Sequence, residues 1–271
     1  MAQELDFPVL SALMSERAGY DLGLERLNAV EARLGPIARR EGLASVQALI
    51  SLIDPVQRPS LSWEIVEAIL PADTRFFRDR DAFQLLSGQL LPALAKARGG
   101  KVRILSAGCA TGQEAWSIAI CAAEVEVEVE VIALDLSMRA IEKARAGVYT
   151  QFEVQRGLRA RQLVEWFGQT DDLWHVSSRL KPAVQFDRAN LLDGLEGLGG
   201  FDLIFCRHVL AEMTREARQR VIAGLGRALG TTGCLFLGAG ETLPEAEAVF
   251  RPVAGFKSVY VRSASPISRA A

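Results

Sequence analysis

The 271-residue chain has only two histidines, His175 and His208, and four scattered cysteines, Cys109, Cys121, Cys206 and Cys234, with no C-x-x-C pair. Zinc sites and disulfide frameworks need close sets of thiols and imidazoles. The expectation is therefore no metal and four buried, reduced thiols. No uncharged apolar run approaches the roughly 18 residues of a membrane span. The opening Met1-Ala-Gln-Glu-Leu-Asp-Phe-Pro8 lacks the basic and apolar stretches of a secretory leader. These absences predict a cytoplasmic protein without membrane insertion. Excess charge is missing too: 31 Lys and Arg stand against 33 Asp and Glu, a formal net charge of -2. Nothing overall draws the chain to nucleic acid, so a charged partner must meet a local patch.

What is present is globular, with 49% hydrophobic and 24% charged residues. Apolar positions recur at helical spacing through Leu10, Leu13 and Met14, then Leu22 to Leu34, then Leu43 to Ile53, and again from Ser62 to Leu70. This predicts a helical N-terminal domain and linker over 1–80. From Asp81 a further helix leads to the strand Val102–Ser106, and strands then alternate with helices. Strands are predicted at 129–134 and 201–206, and helices at 137–145 (Ser137 as N-cap) and 214–229. Two closing strands, 234–238 and 257–262, have the composition to pair antiparallel. Such alternation gives a mainly parallel sheet covered on both faces. The second domain spans 81–265, with 148–181 as an insertion and 266–271 as a tail. Glu124-Val-Glu-Val-Glu-Val-Glu-Val131 alternates strictly and reads as a half-solvated strand, not an acidic patch.

Gly108-Cys-Ala-Thr-Gly112 bends the chain between the first strand and its helix. Ligands of doubly wound sheets lie outside the carboxyl ends of the strands, and an acid ending the second strand, here Asp135, suits ribose hydroxyls. A glycine-rich turn that merely packs tightly is the alternative. The third glycine of G-x-G-x-x-G is missing, and Glu114 would repel a pyrophosphate at the helix N-terminus. An amino-acid nucleoside such as S-adenosylmethionine therefore fits better than NAD.

Thr74-Arg-Phe-Phe-Arg-Asp79, Ser106-Ala-Gly-Cys-Ala-Thr-Gly-Gln-Glu114, Ala144-Arg-Ala-Gly-Val-Tyr149, Asn190-Leu-Leu192 and Phe201-Asp-Leu-Ile-Phe-Cys-Arg-His-Val209 follow one another in order. Together they resemble the CheR-type chemotaxis receptor methyltransferases from about Trp63 to Tyr260. The resemblance implies a class I, Rossmann-like α/β methyltransferase sheet, mainly parallel with an antiparallel final strand, beside a small helical N-terminal domain and a small inserted β-subdomain. It implies methyl transfer from S-adenosylmethionine, leaving S-adenosylhomocysteine, to glutamate side chains on chemoreceptor cytoplasmic helices. Carried over residue by residue, it implies cofactor contacts at Thr74, Arg78, Ala107, Gly108, Glu114, Asp135, Asn190, Leu191, Cys206 and Arg207. Arg78, Arg207 and Glu212 are its catalytic candidates. A glutamate carboxylate, with a pKa near ~4.3, is ionised at neutral pH. The expected chemistry is thus in-line displacement by alignment and desolvation, without a nucleophilic triad.

The chain departs from the family pattern at Cys206-Arg-His-Val-Leu-Ala-Glu-Met213, where His208 replaces asparagine and Glu212 replaces a tyrosine near the transferred methyl. A carboxylate at that place repels the acceptor unless Arg78, Arg207 or His208 compensates it; if the segment is helical, His208 and Glu212 stand close enough to pair with each other, a surface pair of no consequence being the alternative. These departures motivate the alternative of a non-catalytic S-adenosylmethionine-binding sensor or scaffold. The short Gly168-Gln-Thr-Asp-Asp172 loop of the insertion suggests independence from a receptor C-terminal tail.

Overall fold

The structure, a computed structural model, describes residues 6–195, 197–243 and 248–263; the expected tail, 266–271, lies outside them. The chain divides into two compact units, Met1–Pro71 with Glu212–Arg218, and Ala72–Ala211 with Gln219–Ala271. Residues 72–80, taken from sequence as part of the helical region, thus go with the second unit.

The first unit contains α1 (Phe7–Ala18), α2 (Leu27–Arg40), α3 (Val46–Ile50) and α4 (Pro59–Ile69). Pro8 and Pro59 sit in first turns, where a missing N–H costs nothing. Gly19 ends α1 in the left-handed region, at φ 63°, and its N–H returns to the Ser15 carbonyl at 2.9 Å. The Ser45 hydroxyl caps α3 by accepting from the Ala48 N–H. Leu10, Met14, Leu34, Leu49, Ile65 and Val66 are fully buried and form this unit's core.

The second unit opens with α5 (Arg80–Leu85), a π-helical turn at Leu86–Leu90, and α6 (Leu91–Arg98). Then come β1 (Val102–Ala107), α7 (Gln113–Glu124), β2 (Val129–Asp135) and α8 (Met138–Ala146), the last capped by Ser137. The insertion holds β3 (Val148–Thr150), α9 (Gln151–Gln155), α10 (Ala160–Trp166), β4 (Phe167–Thr170) and β5 (Leu173–Val176). The chain continues through β6 (Val184–Arg188), β7 (Phe201–Phe205), α11 (Arg215–Ala228), β8 (Leu229–Phe236), β9 (Phe250–Pro252) and β10 (Val259–Arg262).

The main sheet runs β6-β2-β1-β7-β8-β10-β9. Strands β6, β2, β1, β7 and β8 are parallel, and β10 runs against both β8 and β9. This is the mostly parallel Rossmann-like sheet with an antiparallel end that the sequence predicted. Its central strands are mostly apolar, as expected of a sheet covered by helices on both faces; every residue of β7 is buried, Asp202 included. Phe205 stacks on Phe236 with centroids 4.5 Å apart.

The valine–glutamate alternation is only partly a strand. Helix α7 runs to Glu124, a turn with Glu126 at φ 56° follows, and β2 begins at Val129. The two-residue period still sorts the side chains, glutamates outward and valines inward. Strand β9 had no clear signal, since three residues are too few to show a period.

The insertion's own antiparallel sheet runs β3-β5-β4. Its buried Tyr149 donates from the hydroxyl to the Thr111 carbonyl at 2.7 Å, bracing the bend after β1.

Candidate active site

Parallel pairing sets Ala107 of β1 beside Leu134 of β2, and Ser106 beside Phe205 of β7. The carboxyl ends of the three strands thereby lie side by side. The bend leaves β1 through Gly108 at φ 79°, Ala110 at 46° and Gly112 at 93°, and the Gly108 and Cys109 N–H groups both donate to the Leu134 carbonyl. A Cβ on Gly108 would lie 2.4 Å from Val209 Cγ2, and one on Gly112 2.8 Å from Ala144 Cβ. Left-handed backbone and close neighbours within the chain account for these two glycines, so any case for a ligand rests on the charged groups around them.

Asp135 ends β2 with its carboxylate turned to that bend. Oδ2 accepts from Ala110 N at 2.8 Å and Oδ1 from Ser137 N at 2.9 Å. Glu114, in the first turn of α7, accepts from the Ser106 hydroxyl at 2.7 Å and from Arg207 Nη1 at 2.9 Å. Arg207, two residues beyond β7, has a side chain only 1% exposed. Its other arm donates to the Arg78 carbonyl and, at 2.9 Å, to Asp79 Oδ2, while the guanidinium lies 5.4 Å from the centre of the Phe83 ring. A buried guanidinium survives only with such charged partners.

Asp79 was part of the quoted motif but carried no expected role. The same oxygen that meets Arg207 also accepts from Ala239 N at 2.9 Å and lies 2.8 Å from His208 Nε2. Burial by itself would raise its pKa; the Ala239 N–H, His208 and the Arg207 charge overcome it and bring the carboxyl down to about 2. Both Phe77 and Asp79 take positive φ, 49° and 55°. Non-glycine residues hold such angles only where their surroundings fix them. Glu241 joins from the loop after β8, its Oε2 accepting from His208 N at 2.8 Å and Gly238 N at 2.6 Å. No sequence signal marked Glu241, which stands 33 positions from His208.

The remaining expected site residues are placed as follows. Arg78 Nη1 donates to the Asp73 carbonyl at 2.9 Å and lies 3.9 Å from its carboxylate. Thr74 is half-buried just before it. Asn190 Oδ1 caps the short turn Leu191–Asp193 by accepting from Leu192 N at 3.1 Å, and Leu191 is buried. Ala107 and Cys206 are fully buried. Burial pushes the Cys206 and Cys109 thiols well above their ordinary pKa, and Cys121 to about 12.

Glu212 belongs to the first unit, where its carboxylate meets Arg26 Nη2 at 2.6 Å and its carbonyl accepts from Asp21 N. The expected His208–Glu212 pair does not form. His208 takes a left-handed φ of 59° and only the short 3-10 turn Leu210–Glu212 follows, so no α-helix spans the two residues, and each side chain has another partner.

The family described as CheR methyltransferase, SAM binding domain, matches residues 72–259. The chain belongs to the CheR methyltransferase family. Chemotaxis protein methyltransferase 1 of Pseudomonas aeruginosa is 33% identical over 252 residues, spanning 89% of this chain and 92% of that one. The chemotaxis protein methyltransferase of Vibrio parahaemolyticus is 32% identical over 86% of this chain and 87% of its own, and that of Escherichia coli 30% identical over 90% and 86%. This CheR-family chain is an S-adenosylmethionine-dependent methyltransferase. The strand tips fit that cofactor. Asp79 and Glu114 pair with one buried guanidinium, and Asp135 and Glu241 add further carboxylates near the strand ends, an arrangement suited to a cationic nucleoside. Among the described residues, Arg207 Nε and Glu241 Oε1 are buried without a hydrogen-bond partner. An unmade buried hydrogen bond costs about 1–3 kcal/mol, so the cluster has polar capacity left for a ligand or water. No helix among the described residues is long and apolar enough to cross a membrane.

Proposed function

We propose that this CheR-family enzyme methylates glutamate side-chain carboxylates on the cytoplasmic helices of chemoreceptors, in chemotactic adaptation, and that it works in the cytoplasm. The observation that carries the reading is the buried Arg207 held between Glu114 and Asp79 at the tip of β7, in a chain matching its relatives over nearly their whole length.

S-adenosylmethionine, when bound, supplies a methyl group on a positively charged sulfur. Asp135 would accept hydrogen bonds from the ribose hydroxyls, and Glu114 would face the amino end. Arg78 would turn its fork from Asp73 to the methionine carboxylate, beside Thr74. Asn190 and Leu191 would flank the adenine over a floor that includes Ala107, Gly108 and Cys206. Arg207 would hold Glu114 and Asp79 in place before the acceptor arrives, so little reorganisation remains at the moment of transfer.

The acceptor carboxylate needs no base, because it is already ionised. The chain's work is to bring it into line and keep water out, worth several kcal/mol of barrier by general estimates. Glu212, the third catalytic candidate, has its charge compensated by Arg26. That pair supports the catalytic reading by leaving less free negative charge on Glu212, and nothing observed favours the non-catalytic alternative. The insertion's strands β4 and β5 are joined by Asp171 and Asp172 alone, which supports methylation that does not depend on a receptor's C-terminal tail.

The test is incubation with methyl-labelled S-adenosylmethionine and receptor cytoplasmic fragments, with and without their tails. Base-labile methyl esters at glutamates on both sets are expected. Absence of label on every fragment, with a known enzyme labelling them, would refute the reading.

A further inference from the structure

Beside the strand-tip cluster, the second unit carries an arginine-rich cleft of about 440 Å³, lined by Arg75, Phe76, Phe77, Asp79, Arg80 and Arg156. Phe76 and Phe77 are buried beneath it. Arg75 and Arg80 are exposed. Arg80 Nη2 donates only weakly, to the Gly157 carbonyl at 3.3 Å. Arg156 meets Asp73 at 3.2 Å and lies over the Phe152 ring. Arg75 has no hydrogen-bond or ion-pair partner among the described residues.

Asp73 offsets Arg156, but the one carboxylate in the lining does not neutralise Arg75 or Arg80. Asp79 Oδ2 is engaged by Arg207, His208 and Ala239 N. Three guanidiniums therefore converge on one cleft while the chain as a whole is slightly negative. Arg80 and Phe77 also line an adjoining cavity of about 130 Å³, whose lining includes Arg159 and one acid, Glu124. Neither Arg75 nor Arg80 is a fixed letter of T-x-F-F-R, so the motif does not account for them. Exposed guanidiniums, Arg75 without a partner among the described residues and Arg80 holding only one long bond, suit carboxylate side chains. The shared Asp79 wall places the cleft next to the strand tips.

We propose that this cleft is a docking site for an acidic helical segment, holding glutamates that neighbour the one to be methylated. The inference rests on the glutamate-methylating reading above and adds to it the surface that selects the acceptor. Glutamates three and four positions apart on a helix lie about 5–6 Å from one another, so one helix face offers several carboxylates to the cleft at once. Charges this close lie within one Debye length, about 8 Å at physiological salt, and act together.

The test uses the full chain and three synthetic probes in calorimetric titrations: a helical peptide with glutamates along one face, the same peptide with glutamines, and a single-stranded oligonucleotide. The wild type is expected to bind the glutamate peptide at least tenfold more tightly than the glutamine peptide. Arg75→Gln with Arg80→Gln is expected to weaken the glutamate peptide about tenfold, or ~1.4 kcal/mol, with the melting temperature and S-adenosylhomocysteine affinity unchanged. Failure of the wild type to bind the glutamate peptide, equal binding by the double variant, or tighter binding of the oligonucleotide would each overturn the proposal. Methyl-ester formation on receptor fragments is scored separately. Unmethylated fragments sink the substrate reading, whereas insensitivity to the two arginines sinks the cleft.

Discussion

Asp79 Oδ2 lies 2.9 Å from Arg207 Nη2, joining the segment before α5 to the tip of β7 across 128 positions of sequence. One carboxylate oxygen thus gathers a guanidinium, an imidazole and the Ala239 N–H, and holds three separate stretches of chain in a single arrangement.

Asp79→Asn should therefore destabilise the second unit. Arg207 keeps Glu114, so the loss falls below the roughly 3–5 kcal/mol of a fully broken buried pair, at about 2 kcal/mol. Urea unfolding followed by circular dichroism checks this, with a lowered midpoint and unchanged slope expected.

The acid limb of the stability curve should carry the same signature. A carboxyl depressed from 3.8 to about 2 on folding contributes stability that is complete above its unfolded pKa and lost as pH falls through the folded value. Between about pH 4 and pH 2 the wild type should lose on the order of 1–2 kcal/mol more than Asp79→Asn, allowing for partial exposure. Parallel acid limbs for the two proteins would refute the assignment.

Gly157 is the sharpest steric test. A Cβ there would lie 1.8 Å from the Phe76 carbonyl oxygen, at φ 117°, whereas one on Gly168 meets nothing within 4 Å. Gly157→Ala should cost about 3 kcal/mol or prevent folding, and Gly168→Ala should stay within about 0.5 kcal/mol of wild type. Thermal denaturation of both proteins decides.

In the helical unit, burial first and then the Glu212 charge push the Tyr20 hydroxyl up to about 12. Glu212→Gln should let Tyr20 ionise at lower pH. Ultraviolet titration of phenolate absorbance would show the shift, and stability should change by no more than about 1 kcal/mol because the Arg26 pair is partly exposed.

The sequence marked most of the fold because its signals were local. The apolar runs of β1, β2 and β7, the Ser137 cap and the helical periods before Pro71 each depend on neighbours a few residues away. Helix and strand competed at Glu124–Val131, where α7 claimed the first residue and a turn the next ones, and at Leu229, expected to end a helix but opening β8. The site was legible as a set of residue types at strand ends. Its wiring was not, because Asp79, Arg207 and Glu241 meet only through the folded sheet. The pairing of His208 with Glu212 was conditional on a helix, and the left-handed backbone at His208 removes that condition.

The central claim is that a cationic sulfur nucleoside binds across the tips of β1, β2 and β7 with Asp135 on its sugar. Calorimetric titration with S-adenosylhomocysteine of the wild type and of Asp135→Ala tests it most directly. Loss of two charge-assisted hydrogen bonds, about 1.5–3 kcal/mol each, predicts at least a hundredfold weaker binding by a variant that still folds. Equal affinity in the two folded proteins would contradict the account.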